Sequence, residues 1–289
     1  MLTTRKHPIR RLAALFLVAL AIAACDIKGP DPTEELLTKS TGLEFGVGTL
    51  SVPTSAGFGG GTIYYPTGVD GPFAVVSVAP GFFENADALA DWGPRLAGHG
   101  FVAILLNTSS LTELPATRST EQIQALNYAI SQSNTTSSPI AGMVDPNRRG
   151  VMGHSMGGGG TLISAQNDPG LLAAVPLAPW NTSPSFPNDQ VPTLVFACQN
   201  DQIAAVSQHA SPMYDSIPTA THKSYISIAG QDHFCANSPT GGSAQVGKFA
   251  VAWFKKFLDG DGRYDPWVCG ANKPVLTSAI DDVRSTCPF

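Results

Sequence analysis

The sequence predicts one α/β domain in which helices cover both faces of a mostly parallel central sheet. Strand-like runs alternate with helix-like stretches along the chain, which is the pattern of a parallel sheet with crossover helices. Several of the runs are continuously apolar, as expected for strands that are covered on both faces. The chain has 289 residues, is 43% hydrophobic and carries no internal repeat, so we expect one core and no lid domain.

The strands of this sheet are predicted from short apolar runs. They are expected at Thr62–Tyr65, Phe73–Ala79, Phe101–Leu106, Gly150–His154, Ala173–Ala178, Thr193–Ala197 and Lys223–Ile228. The helices are predicted from apolar residues at helical spacing between these runs. They are expected at Ala86–His99, Ser119–Ser131, Ser155–Gln166 and Gln245–Gly260.

The N-terminus predicts export. Four basic residues precede an apolar stretch, Leu12–Ala24, that is too short to span a bilayer, so residues 1–25 are predicted to be a secretory signal peptide rather than a signal-anchor. The ending Ile22–Cys25 resembles a bacterial lipobox, in which lipidated Cys25 would anchor the protein to the membrane. Cleavage after Ala23 is the alternative. Both place the protein outside the cell or in the periplasm.

The remaining chain is predicted to divide into a polar, Pro-rich lead-in at residues 26–40 and the α/β domain at residues 41–289. The net charge is −5 and the pI is near 5.6, with no Lys/Arg cluster beyond the N-terminus, which argues against a nucleic-acid partner. Only 13% of residues are charged, well below the usual quarter or so. This surface suits a neutral substrate.

The cysteines predict two disulfides. Setting Cys25 aside leaves four, which in an exported protein can pair in three ways: Cys198, Cys235, Cys269 and Cys287. A zinc site is disfavoured because no C-x2-C pair and no histidine at ligand spacing is present. The stretch Asp259–Trp267 weakly resembles a calcium loop but reads better as a turn that ends a helix. We therefore expect no metal.

The motif Gly153–Gly157 fits G-x-S-x-G, the nucleophile elbow. Glycine is costly in regular structure, so five glycines between positions 153 and 160 indicate a backbone in tight quarters. A predicted strand precedes the motif and a predicted helix follows it, which is the context that the elbow requires. Ser155 is therefore predicted to be a nucleophile at the tip of a strand–helix turn.

A nucleophilic serine needs a base that is oriented by an acid, and after such an elbow the acid and the histidine come from later loops. His233 follows the strand that ends at Ile228 and is the predicted base. Asp201 follows the strand Thr193–Ala197 and is the predicted acid, with Asp232 as the second choice. The other histidines fit less well: His7 lies in the signal, His99 precedes the elbow, His154 would line the cleft, and His209 and His222 lie in helix-like or strand-leading positions.

The oxyanion hole is predicted to use two backbone N–H groups. One belongs to Met156, directly after the nucleophile, and the other to Phe82, in the loop after the strand Phe73–Ala79. Four aromatic residues are expected near this site: Phe82, Phe83, Trp180 and Phe234. A place in the core is the alternative, but three of the four lie on loops directly after strands, which suits a flat, apolar ester.

Five stretches together resemble the bacterial polyester hydrolases, the cutinase-like α/β-hydrolases that include PET hydrolases: "GHSMGGGGTL", "APGFFENADALADWGPRLAGHGFV", "APWN", "VPTLVFACQNDQIAAV" and "DHFCANS". The resemblance runs from Lys28 to the C-terminal cysteines. It implies a monomeric serine esterase without cofactors that cleaves polyesters such as PET or cutin through an acyl-enzyme. A lipase or carboxylesterase for acylglycerols or soluble short-chain esters is the alternative, and a catalytically silent surface lipoprotein is a third reading.

The resemblance also implies roles for single residues. Trp180 and Ile203 would clamp the acyl part of the substrate, and His154, Phe234 and Asn237 would line the far side of the cleft.

Cys198 and Cys235 resemble the branch of the family with an extra disulfide. They also lie close in sequence to Asp201 and His233, so a triad at these positions would bring the two sulfurs within bridging reach. We therefore predict the pairs Cys198–Cys235 and Cys269–Cys287.

Overall fold

The computed structural model describes residue 1, residues 31–39 and residues 44–289. The predicted signal peptide, the lipobox and much of the lead-in lie outside the described residues, so these remain predictions. The chain divides into Met1–Asp31 and one compact unit, Pro32–Phe289, to which the following description applies. None of the described helices is both long enough and apolar enough to cross a membrane.

The compact unit is built on one sheet with the spatial order β1-β2-β4-β3-β5-β6-β7-β8-β9. The strands are β1 (Gly46–Val52), β2 (Gly61–Thr67), β3 (Phe73–Ala79), β4 (Phe101–Leu106), β5 (Val144–His154), β6 (Ala173–Leu177), β7 (Thr193–Cys198), β8 (Lys223–Ile228) and β9 (Ile280–Ser285). Every pairing from β4 to β8 is parallel, and the pairings of β1 with β2, β2 with β4 and β8 with β9 are antiparallel. The predicted mostly parallel sheet is confirmed.

All seven predicted strands are present, and the structure adds the two outermost strands, β1 and β9. Both lie at sheet edges, and most of their residues are exposed or half-buried. A strand without a covered face carries no continuous apolar run, which is why the sequence did not indicate them.

The α-helices lie between the strands and toward both ends of the unit: α1 (Glu34–Thr38), α2 (Trp92–Gly98), α3 (Pro115–Ser133), α4 (Met156–Asn167), α5 (Ala210–Ser216), α6 (Gln245–Leu258) and α7 (Asp265–Val268). The predicted helix Ala86–His99 is wrong in its continuity, because a 3₁₀ turn at Ala86–Leu89 precedes a separate α2. Pro94 explains the break, since proline has no N–H to donate and is tolerated only in the first turn of a helix.

Two hydrophobic clusters lie on opposite faces of the sheet, because successive residues of β3 point to opposite sides. Val76 and Val78 belong to the cluster that contains the apolar residues of α2 and α6. Val75 and Ala79 belong to the cluster with those of α3 and the end of α4. Helices thus cover both faces, as predicted for an α/β-hydrolase. Part of the lead-in also joins the core, since Leu37 of α1 is fully buried.

Candidate active site

Ser155 occupies a sharp turn between β5 and α4. Its φ of 54° and ψ of −117° lie in a region of backbone conformation that residues other than glycine rarely adopt. Three backbone hydrogen bonds hold it there: the Ser155 N–H donates to the Leu177 carbonyl (2.9 Å), and the Ser155 carbonyl accepts from the N–H groups of Gly159 (2.9 Å) and Trp180 (2.8 Å). This is the geometry of a nucleophile elbow.

The glycines around Ser155 are required by close backbone contacts. A Cβ on Gly153 would lie 2.5 Å from the Gly157 carbonyl oxygen, and one on Gly157 would lie 2.3 Å from that of Ala79. A Cβ on Gly159 would approach the Trp180 carbonyl oxygen to 2.1 Å. Only glycine lets the first turn of α4 pack this closely on β5, on the end of β3 and on the loop after β6.

Asp201 and His233 meet at the same edge of the sheet, because parallel β7 and β8 end there. The His233 Nδ1 lies 2.6 Å from the Asp201 Oδ2, and both side chains are almost fully buried. The other oxygen of Asp201 accepts the N–H groups of Ile203 (2.8 Å) and Ala204 (2.7 Å). Burial opposes ionisation of Asp201, but the hydrogen bond from His233 and these two amides outweigh it and lower its pKa.

Asp232, the second candidate acid, is differently placed. Its side chain is exposed, and its Oδ1 accepts the Phe234 N–H at 3.1 Å. The carboxylate that contacts the His233 ring is therefore that of Asp201. The contact of the His233 Nδ1 with Asp201 leaves the His233 Nε2 for a further partner. The His233 ring lies near Ser155, since its centroid is 4.7 Å from that of His154, the residue before Ser155.

The described residues contain two disulfides, and both are the predicted pairs. Cys198 ends β7 and bonds to Cys235, two residues after His233, with a Cα–Cα distance of 5.9 Å. This bond joins the loop after β7, which carries Asp201 and is called the acid loop below, to the loop after β8, which carries His233 and is called the base loop. Cys269 bonds to Cys287 and fastens the C-terminal tail to the segment after α7.

The candidate oxyanion donors lie on the turn after β3 and at the start of α4. Met156 is the first residue of α4, where a backbone N–H has no acceptor within the helix. Within the described part of the chain, the Phe82 N–H also has no protein acceptor. The two segments touch at Ser155, because a Cβ on Gly81 would lie 2.9 Å from the Ser155 Cβ.

Arg118 of α3 holds the turn after β3 through hydrogen bonds to backbone carbonyl groups. Its guanidinium donates to the carbonyl oxygens of Pro80 and Leu111, both at 3.0 Å. The Phe83 N–H donates to the same Leu111 carbonyl at 2.9 Å. The turn and the loop before α3 therefore form one braced unit beside the elbow.

Exposed apolar side chains surround this site. The exposed fractions are 45% for Phe82, 57% for Ile203 and 52% for Phe234, and Trp180 is half-buried. Phe83 (66%), Leu111 and Leu114 extend the surface on the side of α3. We call these seven side chains the apolar rim. His209, which the sequence placed in a helix, is the N-cap residue directly before α5, and its ring lies 5.6 Å from that of Trp180.

His154 differs from its expected place in the cleft. Its side chain is buried, because the Nδ1 contacts the Glu84 Oε2 at 2.8 Å and the Nε2 contacts the His233 carbonyl oxygen at 3.0 Å. Asn237, expected beside the substrate, is half-buried and donates through its Nδ2 to the Glu84 Oε1 at 2.9 Å. Glu84 is a site residue that the sequence did not indicate, since a single glutamate in a loop has no spacing signal.

No group of three or more His, Cys, Asp or Glu side chains among the described residues is arranged to hold a metal ion. The acidic residues of the stretch with calcium-loop character form ion pairs instead. Lys255 pairs with Asp259 at 3.0 Å and Arg263 with Asp261 at 2.6 Å, and Lys256 pairs with Asp265.

Comparison with known proteins agrees with the fold. The model of the PET hydrolase-like family matches residues 21–288. The chain is 41% identical to the bis(hydroxyethyl) terephthalate hydrolase of Streptomyces coelicolor, over 90% of this chain and 82% of that protein. It is 40% identical to a cutinase of Thermobifida fusca (96% and 91%) and to cutinase 1 of Thermobifida cellulosilytica (91% and 98%). The chain therefore belongs to the PET hydrolase-like family of α/β-hydrolases, a family of carboxylic-ester hydrolases.

Proposed function

We propose that this protein is an exported serine esterase that hydrolyses polyesters through Ser155, His233 and Asp201. The observation that carries the proposal is the 2.6 Å Asp201–His233 contact beside a strained serine elbow. The names of its relatives, a terephthalate diester hydrolase and cutinases, support an ester of this class as the substrate.

In the proposed reaction, the His233 Nε2 removes the proton of the Ser155 hydroxyl as the oxygen attacks the ester carbonyl. Asp201, kept ionised by its hydrogen bonds, holds the tautomer of His233 and stabilises the imidazolium that forms. The N–H groups of Phe82 and Met156 stabilise the oxyanion. His233 then protonates the leaving alcohol, and water, activated by the same base, hydrolyses the acyl-enzyme.

The apolar rim favours a polymer over the alternative, a small soluble ester. A soluble ester needs contacts only at Ser155, whereas a solid polyester would also contact the outer side chains Phe83, Leu111 and Leu114. These three are exposed beside the cleft. Contiguous exposed apolar surface of this kind marks an interaction site.

The test is to replace Phe83 and Leu111 by Ser and to compare hydrolysis of PET film and cutin with that of tributyrin and bis(hydroxyethyl) terephthalate. We expect turnover of the solid polymers to fall about 10-fold, the effect of about 1.4 kcal/mol of lost apolar contact, and the soluble diester to change little. Val69→Ser is the matched control, because Val69 is exposed in the loop before β3, at the end of that strand opposite to the site. Equal loss on both substrate types, or a preference of the wild type for tributyrin, would favour the esterase or lipase alternative.

Export and anchoring are proposed from the N-terminal sequence. If Cys25 is lipidated, the protein should fractionate with membranes and incorporate labelled fatty acid, and Cys25→Ala should release it. Recovery of unlabelled wild type in the medium would support cleavage after Ala23 instead.

A further inference from the structure

Glu84 joins three segments of the active site beneath the surface. Its carboxylate accepts hydrogen bonds from the Gly81 N–H (2.6 Å) and the Asn237 Nδ2–H (2.9 Å). The same carboxylate contacts the His154 Nδ1 at 2.8 Å. Gly81 precedes the candidate oxyanion donor Phe82, and Asn237 belongs to the base loop. The partners of Glu84 are 3, 153 and 70 residues away in the chain.

Both ring nitrogens of His154 face hydrogen-bond acceptors. One faces the Glu84 carboxylate, and the other faces the backbone carbonyl of His233. A neutral imidazole has one donor and one acceptor, so it can satisfy only one of these contacts. The second contact would then oppose two lone pairs in a buried site, at 2.8 Å or 3.0 Å depending on the tautomer. The geometry therefore requires that the Glu84–His154 pair hold one proton more than a carboxylate and a neutral imidazole.

The position of this proton follows from the other partners of Glu84. Both carboxylate oxygens of Glu84 accept a hydrogen bond from a neutral N–H donor, the Oε2 from Gly81 and the Oε1 from Asn237. These donors favour the carboxylate over the protonated acid, so the additional proton is assigned to His154. With the proton there, burial still opposes ionisation of Glu84, but the hydrogen bond and charge of His154 and the two other donors lower the pKa of Glu84 to about 2. The side chains are 1% exposed for His154 and 12% for Glu84, so water screens the pair weakly.

We propose that Glu84 and His154 form a buried carboxylate–imidazolium pair that positions the oxyanion loop and the base loop on either side of Ser155. The pair rests on the hydrogen-bond geometry alone, and its kinetic role rests on the proposed function. Glu84 fixes the Gly81–Phe82 segment through the Gly81 N–H. His154 fixes the backbone of His233 through its Nε2–H, and Asn237 closes the connection.

The other charged or titratable groups near the pair are few. They are His233 against the His154 ring, Asp201 behind His233, Arg118 facing Glu84 from α3, and Glu113 and Glu121 beside Arg118. Of these, Arg118 carries a positive charge that interacts with Glu84.

The first test is the protonation of His154, measured by NMR on the full mature chain labelled with ¹⁵N-histidine. Comparison with His154→Gln assigns its signals among the five histidines that follow the predicted signal peptide. We expect both ring nitrogens of His154 to carry a proton in the folded wild type, because each faces an acceptor. In Glu84→Gln, one of these nitrogens should lose its proton. An unprotonated ring nitrogen of His154 in the wild type would overturn the proposal.

The second test is the kinetic effect of Glu84→Gln on a soluble diester, measured well below the unfolding temperature of the variant. Misplaced loops should lower kcat by about 10- to 100-fold while KM changes little, because the substrate touches neither Glu84 nor His154. Glu84→Asp, which keeps the charge, should recover part of kcat. Asp87→Asn, which removes an exposed carboxylate three residues along, is the control and should match the wild type.

A fall in thermal stability of Glu84→Gln with unchanged kcat would overturn the positioning role. If the variant does not fold, the wild-type NMR spectrum still decides whether the pair exists. If the wild type hydrolyses no ester, the proposed function fails, but the protonation of His154 remains a separate result.

Discussion

His233 has a carboxylate beside it in the sequence and another that reaches it in the folded chain. Asp232 adjoins it but directs its carboxylate to the Phe234 N–H, whereas Asp201, 32 residues away, contacts the His233 Nδ1 at 2.6 Å. Two backbone amides fix the orientation of Asp201. The folded chain thus brings Asp201, and not the sequence neighbour Asp232, to the His233 ring.

This difference predicts unequal effects of Asp201→Asn and Asp232→Asn. Loss of the Asp201 charge should lower kcat by about 10⁴-fold, as when the carboxylate of a serine triad is neutralised, because His233 then adopts the wrong tautomer. Asp232→Asn should retain most of kcat and serves as the control. Initial rates on a soluble ester measure both, and the opposite ranking would show that Asp232 is the acid.

The sequence predicted the residues whose position follows from topology. Ser155, Asp201 and His233 each follow a parallel strand, and the carboxyl ends of such strands share one edge of the sheet. It did not predict Glu84, whose partners are scattered along the chain, or the burial of His154. Side-chain hydrogen bonds between distant loops depend on distances of a few tenths of an ångström, which no sequence spacing encodes.

The acid loop after β7 and the base loop after β8 are joined covalently by Cys198–Cys235. A disulfide that closes a loop of this length stabilises by about 3–4 kcal/mol in the chain-entropy model. Cys198→Ala with Cys235→Ala should therefore lower the temperature of inactivation more than the initial rate at low temperature, because the loops keep their packing until heat loosens them.

The matched control is Cys269→Ala with Cys287→Ala, which removes the bond at the C-terminal tail. It should lower the unfolding temperature by a similar amount, but its activity should persist up to unfolding. Calorimetry and residual activity after heating measure the two quantities. If activity is lost well below unfolding in the control, or only at unfolding in the Cys198/Cys235 variant, the bond has no special role at the site.

The connection between β6 and β7 contains Asp189, a buried carboxyl that pairs with no basic side chain among the described residues. Its hydrogen-bond donors are the Val191 N–H (2.9 Å) and the Thr193 hydroxyl (3.1 Å). Burial raises its pKa to about 6 in spite of these bonds. The unfolded pKa is about 3.9, so between about pH 4 and about pH 6 the native state binds more protons and stability falls as the pH rises.

Asp189→Asn should remove this pH dependence. The amide oxygen can accept the Val191 N–H, and the amide N–H can donate to the Thr193 hydroxyl oxygen while that hydroxyl donates to the Val191 carbonyl. The variant carries no charge, so it should be more stable than the wild type by about 2 kcal/mol at about pH 7 and nearly equal at about pH 4. Denaturant unfolding at the two pH values measures the difference. A variant that is less stable at both would show that the carboxylate is stabilising in the native state.

For the whole molecule, the sequence predicted the parallel centre of the sheet and the helices on both faces, because buried strands and amphipathic helices carry strong periodic signals. It did not predict the edge strands β1 and β9, whose polar residues face water, or the short α5 and α7. The sequence also predicted one continuous helix over residues 86–99 in spite of Pro94, because the apolar spacing continues across the break.

Three loops form the site at the carboxyl ends of the parallel strands. The central claim about this site is that Ser155 forms an acyl-enzyme with His233 as base. The direct measurement combines labelling by a fluorophosphonate, a serine-directed acylation mimic, with the turnover of Ser155→Ala. We expect one label per chain, located at Ser155 by peptide mapping and slowed by Asp201→Asn, and a loss of turnover of about 10⁴-fold or more in Ser155→Ala. A label on another residue, or more than about a tenth of wild-type activity in Ser155→Ala, would contradict the account.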